Sequence, residues 1–303
     1  MVNVEFVHSG AQIPDPDGEG FFDRSARQGF RRQMESLARQ RNSLLFVAKE
    51  EESLVAVGLA KVRQVLAVED GQVRISESHA RHRRSPDVPL TVGRWYKLAI
   101  DPGTNVILGA EEEPQAPPAL PPTERFPVDL DQLPSVTASE AAAFFSRLRR
   151  QPHIPFQYPL NGCWARAHEM CRLIERHFDG DPQQDVVAKI WNQGQLIVPT
   201  DNSPDCRVEW SYHVAPVVRV GEELLVLDPA LFERPVSVES WRQRQSDLSN
   251  PPVFTTRRAY DLVEGESFVA EGPGATQELL QLLWVDLIAQ VYQNGPLPYQ
   301  CGG

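Results

Sequence analysis

Residues 112–127 read EEPQAPPALPPTERFP, with six prolines. Proline locks φ and lacks a backbone N–H, so such a run sustains neither a helix nor a central strand and favours extended polyproline II. Residues 113–127 are therefore read as a linker. They divide the chain into residues 1–112 and residues 128–303, and both parts have ordinary domain size.

Before the linker, residues 23–42 (DRSARQGFRRQMESLARQRN) put Phe30, Met34 and Leu37 at helical spacing. Strand-like runs follow: SLLFVAK, SLVAVGLAKVRQVLAV, GQVRISES, RWYKLAI and NVILGAE. Asp70-Gly71 and the stretch Asp101 to Thr104 are hairpin turn signals. The expectation for 1–112 is a smaller α+β module, mostly β and mostly antiparallel, with no nucleophile constellation. His8, His79 and His82 are scattered and read as surface residues. The basic run Arg81, His82, Arg83 and Arg84 reads as a solvated loop.

Charge and cysteine usage exclude several classes. A formal charge of −11 with a sequence pI near 5.2 provides no basic footprint, so nucleic acid is not the expected partner. No stretch approaches the length of a membrane span. The first twenty residues show neither a basic n-region nor an apolar h-region. The expectation is a cytoplasmic protein or one exported by a leaderless route. Four cysteines are too few for a disulfide scaffold, and none forms a C-x-x-C pair. A metal set of Cys163, Cys171, Cys206 and His213 matches no standard spacing, so no metal or organic cofactor is expected. Cys171 with Cys206 is the disulfide weighed for an oxidising compartment. Cys301, in the Cys-Gly-Gly end, reads as part of a frayed terminus.

After the linker, residues 135–151 (SVTASEAAAFFSRLRRQ) form a helix opened by the capping pattern Thr137-x-x-Glu140. A second helix beginning at Cys163 places Cys163, Ala167, Met170, Cys171, Ile174 and Phe178 on one face. Asn161 is its expected N-cap, and Gly162 permits an unusual backbone angle just before the thiol. Cys163 would then face inward at the positive end of the helix dipole, where a thiolate is favoured. A buried, inert cysteine fits the same position, and position alone leaves both readings open. A strongly apolar helix over residues 276–293, buried on more than one side, closes the chain.

A nucleophilic thiol needs a base. His168 lies five residues on, about 140° around the helix axis, and so points away from Cys163. His177 is almost four turns distant. In WSYHVAPVVRV, alternation puts Ser211, His213, Ala215 and Val217 on one face, and Trp210, Tyr212, Val214 and Val218 on the other. If Gly221-Glu222 form a two-residue loop, Val220 pairs with Glu223 and Asp228 becomes a diagonal neighbour of His213. Taken singly, His213 is equally a hydrogen-bonded core histidine and Asp228 a turn residue. Cysteine, strand histidine and strand-end aspartate in that order have the composition of a nucleophilic triad.

The segments NGCWARAHEM, WSYHVAPVV and LDPALF, with IPFQYPL and SVESWRQR, resemble the protein-glutaminase family, the protein-glutamine deamidases. The resemblance covers roughly residues 135–245. It implies an α+β, papain- or transglutaminase-like catalytic domain over 128–303, with an antiparallel sheet and the nucleophile at a helix N-terminus. It also implies Cys163 as nucleophile, His213 as base and acid, and Asp228 as the group orienting His213. The implied reaction hydrolyses the side-chain amide of a protein-bound glutamine to glutamate and ammonia through a thioester. The implied partner is a protein presenting an exposed glutamine. Trp164, Trp210 and Tyr212 are weighed as walls of the glutamine channel against plain core packing, and Arg166 reads as structural. The rival readings are a transglutaminase, a cysteine peptidase and a non-catalytic interaction module. The N-terminal module reads as an inhibitory pro-region of a zymogen, or as a targeting module of a bacterial effector toxin with a secretion-system or immunity partner.

Overall fold

Tight turns and short strands organise the N-terminal residues. The computed structural model describes residues 2–7, 45–50, 53–76, 78, 80–114, 126–178, 185–263, 267–270 and 275–301. The helix expected over 23–42, His8, His79 and most of the proline-rich run lie outside the described residues. The chain divides into two units: Met1–Pro118 with Pro199–Arg207 and Leu283–Gly303, and Ala119–Val198 with Val208–Leu282.

In the first unit, strands β1 (Asn3–Val7), β2 (Leu45–Glu50) and β3 (Ser53–Leu59) form an antiparallel sheet in that order. Strands β4 (Lys61–Glu69), β5 (Gln72–Ile75), β6 (His82–Arg84), β7 (Trp95–Ile100) and β8 (Val106–Glu112) close a barrel in the order β4-β5-β6-β8-β7. Asp70 and Gly71 both have positive φ, and Glu69 faces Gln72, so the expected two-residue hairpin is present. Asp101 builds the other turn by accepting from the Gly103 N–H and the Thr104 hydroxyl. Val65, Val73, Ile75, Tyr96, Leu98, Ile100 and Ile107 are among the residues of the barrel core. At Gly109 a Cβ would lie 2.9 Å from the Val4 Cβ, so glycine permits the close approach of β1 to β8.

The basic run corrects an expectation. Residues 82–84 are not a loop but strand β6, antiparallel to β5 and parallel to β8. His82 is not on the surface: it is buried, with its ring bonded to the Ser78 hydroxyl (2.9 Å) and the Asn105 carbonyl (3.3 Å). Burial, then the charge of Lys61, push its pKa down to about 3, so the ring is neutral at ordinary pH.

The later segments of this unit are tied to one another. Cys206 is disulfide-bonded to Cys301, the Tyr299 N–H donates to the Asp201 carbonyl, and Gln290 donates to the Asn202 carbonyl. The pairing of Cys171 with Cys206 is thus overturned: Cys171 is a free, buried thiol, and Cys301 is anchored rather than frayed. Lys61 of β4 pairs with Asp286 at 2.6 Å, and both side chains are largely buried.

The second unit contains a five-stranded sheet in the order β12-β11-β10-β9-β13. Its strands are β9 (Ala188–Pro199), β10 (Arg207–Val220), β11 (Glu223–Val226), β12 (Val236–Ser237) and β13 (Val253–Thr256). Helices α1 (Ala138–Arg149), α2 (Cys163–Arg176) and α3 (Val238–Gln243) accompany it, with a β14 (Ala259–Val263) and β15 (Ser267–Ala270) ribbon. Helix α4 (Ala275–Asn294) follows, and its residues from Leu283 onward count with the first unit. The capping box of Thr137 and Glu140 opens α1 as its sequence requires. Leu133, Ala188, Ile190, Ala215, Val217, Val226 and Trp241 form the core on the sheet. The fold mixes helix and sheet, with strands predominating. Among the described residues, no helix is long and apolar enough to cross a membrane.

Candidate active site

Gly162 sets up the start of α2. It caps the helix with φ 80° and ψ 20°, a left-handed conformation open to glycine at little cost. Asn161 does not cap the helix as expected; its side-chain oxygen accepts from the Gly162 N–H at 2.8 Å. Cys163 is the first helical residue and is buried. The first turns of α2 are also not amphipathic: every residue from Cys163 to Cys171 is buried, including Trp164, Arg166, His168 and Glu169.

Arg166 lies one turn beyond Cys163. Its Nη1 donates to the carbonyls of Tyr158 (2.9 Å) and Asn161 (2.8 Å), which fixes the chain leading into the helix. Burial lowers the pKa of this guanidinium, against the opposing pull of the charges at Cys163, Asp228 and Tyr158. The positive charge therefore acts on both the thiol and the carboxylate.

His213 lies on β10 and is buried. The two-residue turn at Gly221-Glu222 is present, with Val220 opposite Glu223 and Val217 opposite Val226. The Leu227 N–H then bonds the Pro216 carbonyl, which carries Asp228 back alongside β10. His213 Nε2 donates to Asp228 Oδ2 at 2.8 Å. The same oxygen accepts from Trp241 Nε1 of α3 at 2.8 Å, and Oδ1 accepts from the Ala230 N–H at 3.2 Å. Burial alone would raise the pKa of Asp228. The charge and hydrogen bond of His213, the bond from Trp241 and the charge of Arg166 outweigh it and hold the carboxyl below its usual range.

Two indoles lie beside the imidazole of His213. Trp210 stacks on it at 4.5 Å between centroids and 18° between planes, and the Trp241 ring lies 5.6 Å away at 25°, its N–H aimed at the carboxylate oxygen that the imidazole also meets. Strict alternation put Trp210 and His213 on opposite faces of the strand. A stack between residues three apart requires a departure from the regular pleat there. Trp210 Nε1 donates to the Pro159 carbonyl at 3.1 Å.

The remaining candidates are in the interior. Trp164 packs against Tyr260 and Tyr212 against Trp191. His168 is bonded through Nδ1 to Lys189 at 2.9 Å and meets the Tyr260 ring edge-on. Cys171 is held as a thiol, because burial pushes its pKa up to about 12. Sequence reasoning missed the parts played by Trp241 and Arg166. Each sits in a segment quoted for the resemblance, but neither contact follows from spacing. Among the described residues, no group of three or more His, Cys, Asp and Glu side chains is arranged to hold a metal ion.

Residues 141–245 match a family model described as Glutaminase, and this segment spans Cys163, His213, Asp228 and Trp241. No curated protein matches the chain. A crystal structure of pro-protein-glutaminase is similar at 20% identity and a TM-score of 0.53, over 80% of this chain and 99% of that one. A crystal structure of the A47Q2 mutant of pro-protein-glutaminase is similar at 21% identity and a TM-score of 0.51, over 73% and 90%. At these identities the likeness is one of fold.

Proposed function

We propose that this chain is a protein-glutamine deamidase with Cys163 as nucleophile, His213 as base and acid, and Asp228 as the residue that orients His213. The observation that carries this reading is the buried His213–Asp228 hydrogen bond within the segment matched to glutaminases, with Cys163 opening a helix in the same segment. The catalytic unit is read as papain- or transglutaminase-like in arrangement, with an antiparallel sheet beside the nucleophile's helix.

Because Nε2 is committed to Asp228, proton transfer runs through Nδ1 of His213. His213 takes the thiol proton, and the Cys163 sulfur attacks the carboxamide carbon of a protein-bound glutamine. The backbone N–H of Cys163, at the positive end of α2, donates to the oxyanion. As the tetrahedral intermediate collapses, the C–N bond breaks, His213 protonates the nitrogen, and ammonia leaves a thioester. Water then gives its proton to His213 and adds to the thioester carbon. Collapse releases glutamate and returns the proton to sulfur. The balance is glutamine plus water to glutamate plus ammonia.

Water as the acceptor distinguishes this reaction from the transglutaminase reading, and a side-chain amide as the group attacked distinguishes it from the cysteine-peptidase reading. The experiment is ammonia release from denatured casein, with and without a primary amine, alongside mass spectrometry. Ammonia with +1 Da glutamines, and neither crosslinks nor chain cleavage, supports deamidation. Cleavage or amine incorporation in its place overturns it, and wild-type activity in Cys163→Ala overturns the assigned nucleophile. Zymogen and effector roles for the first unit remain two forms of the same proposal. A large activity gain in a chain beginning near Thr123, measured against the full chain, supports the zymogen, and its absence favours targeting.

A further inference from the structure

We propose that Trp210 and Trp241 are positioning residues of the triad, a clamp in which the Trp210 face stabilises the imidazolium form of His213 and Trp241 anchors Asp228. The inference rests on the reading of Cys163, His213 and Asp228 as a nucleophilic triad.

Three observations converge. Both indole planes lie within 25° of the imidazole plane, one at 4.5 Å and the other at 5.6 Å. A cation against an aromatic face is favoured by the ring quadrupole, and indole, which Trp210 presents here, is the best such face. Each indole is itself fixed at its nitrogen, Trp210 on the Pro159 carbonyl and Trp241 on Asp228 Oδ2. Neither ring can rotate away without losing a buried bond. Trp241 and His213 also donate to one and the same carboxylate oxygen, so the indole sets the direction from which Asp228 meets the imidazole.

The chemistry has a use for this clamp at one step. When the thiol proton moves to His213, a neutral pair becomes a thiolate and an imidazolium in a site with little water to solvate them. The Trp210 face and the anchored carboxylate provide solvation for the cation that is already in place and needs no reorganisation. Asp228, Arg166, Cys163 and Tyr158 are the charged and titratable groups whose interactions accompany that change. Both tryptophans are buried, so the clamp belongs to the triad's support rather than to a surface that meets substrate.

The test uses the full chain with Trp241→Phe, which keeps a ring but loses the N–H. A second set carries mono-, di- and trifluorinated tryptophan at 210, which weakens the ring face while keeping the N–H and nearly the same volume. Two readouts are taken across pH: kcat and KM for ammonia release from denatured casein, and the rate of Cys163 alkylation by iodoacetamide. Trp241→Phe is expected to lower kcat about 10- to 100-fold with KM changed less than about twofold. The fluorinated series should narrow both pH profiles stepwise, by about one unit in total. The proposal is overturned if Trp241→Phe folds with an unchanged thermal midpoint and both profiles superimpose on the wild type. It is also overturned if the fluorinated series leaves both profiles in place. A wild type that releases no ammonia, while its Cys163 alkylation profile still narrows across the series, sinks the substrate reading and supports the clamp.

Discussion

A buried carboxyl group ordinarily regains a proton, yet Asp228 accepts from His213 and Trp241 on one oxygen and sits within the field of Arg166. Asp228→Asn keeps the shape and removes the charge. It is expected to lower kcat about 10³- to 10⁴-fold with the fold retained, checked by ammonia release beside a thermal melt. The depressed pKa also sets a sign: the stabilisation is present above the unfolded carboxyl value and is lost as pH falls through the folded one. His82 works in a different range. Its folded value near 3 lies below the ordinary 6.5, so between these limits the unfolded chain binds the extra proton. Stability should therefore fall on acidification below about pH 6, by up to about 1.4 kcal/mol per pH unit. Denaturant midpoints from pH 7 to pH 4 should show a weaker dependence in His82→Gln than in the wild type. At this scale the sequence was partly legible. Given a two-residue loop at Gly221-Glu222, which the register shows, the approach of Asp228 to His213 followed from strand pairing. The Trp241–Asp228 bond was hidden, because an indole on a separate short helix reaches a carboxylate thirteen residues earlier with no periodicity to signal it.

Strands with tight turns were the most readable elements: Asp70-Gly71 is a strong two-residue hairpin signal, and Gly221-Glu222 forms the two-residue loop on which the pairing depended. The continuous run SLVAVGLAKVRQVLAV was less so: it divides at Ala60 into β3, which pairs with β2, and β4, which joins the barrel. A three-residue strand such as β6 carries too little pattern to announce its parallel pairing with β8. Helix α2 was read as one-faced because Arg166, His168 and Glu169 count as polar in any periodicity. Their partners, the carbonyls of Tyr158 and Asn161, Lys189 and His153, come from distant or irregular segments. The start of α2 gives the prediction for this scale. Gly162→Ala forces a Cβ into the left-handed region and should cost about 1–2 kcal/mol, read as a lowered denaturant midpoint. Activity should fall by more than that loss of folded protein explains, because the same backbone aims Cys163. Gly162→Asn, which tolerates this region better, should restore part of both.

The first unit gathers residues from three separate stretches of the chain, which no local punctuation could reveal; a proline run marks a boundary only where it stands. Lys61 meets Asp286, and Arg83 meets Asp205, across more than a hundred residues of sequence. The first of these pairs is largely buried, so separating its partners would leave a carboxylate uncompensated. A chain cut once at a protease site placed within 113–127 should therefore keep both pieces together. They are expected to coelute on size exclusion in plain buffer and to part in denaturant; separate elution in plain buffer would count against it. The disulfide between Cys206 and Cys301 has a further consequence, in the order of synthesis. Residues 1–112 leave the ribosome before residues 128–303, but Asp286 and the second half of the disulfide are made after the whole segment bearing Cys163 and His213. The barrel can form early, while its unit is completed only once the strands and helices bearing Cys163 and His213 have been made. A chain assembled in that order has an early-made part finished late.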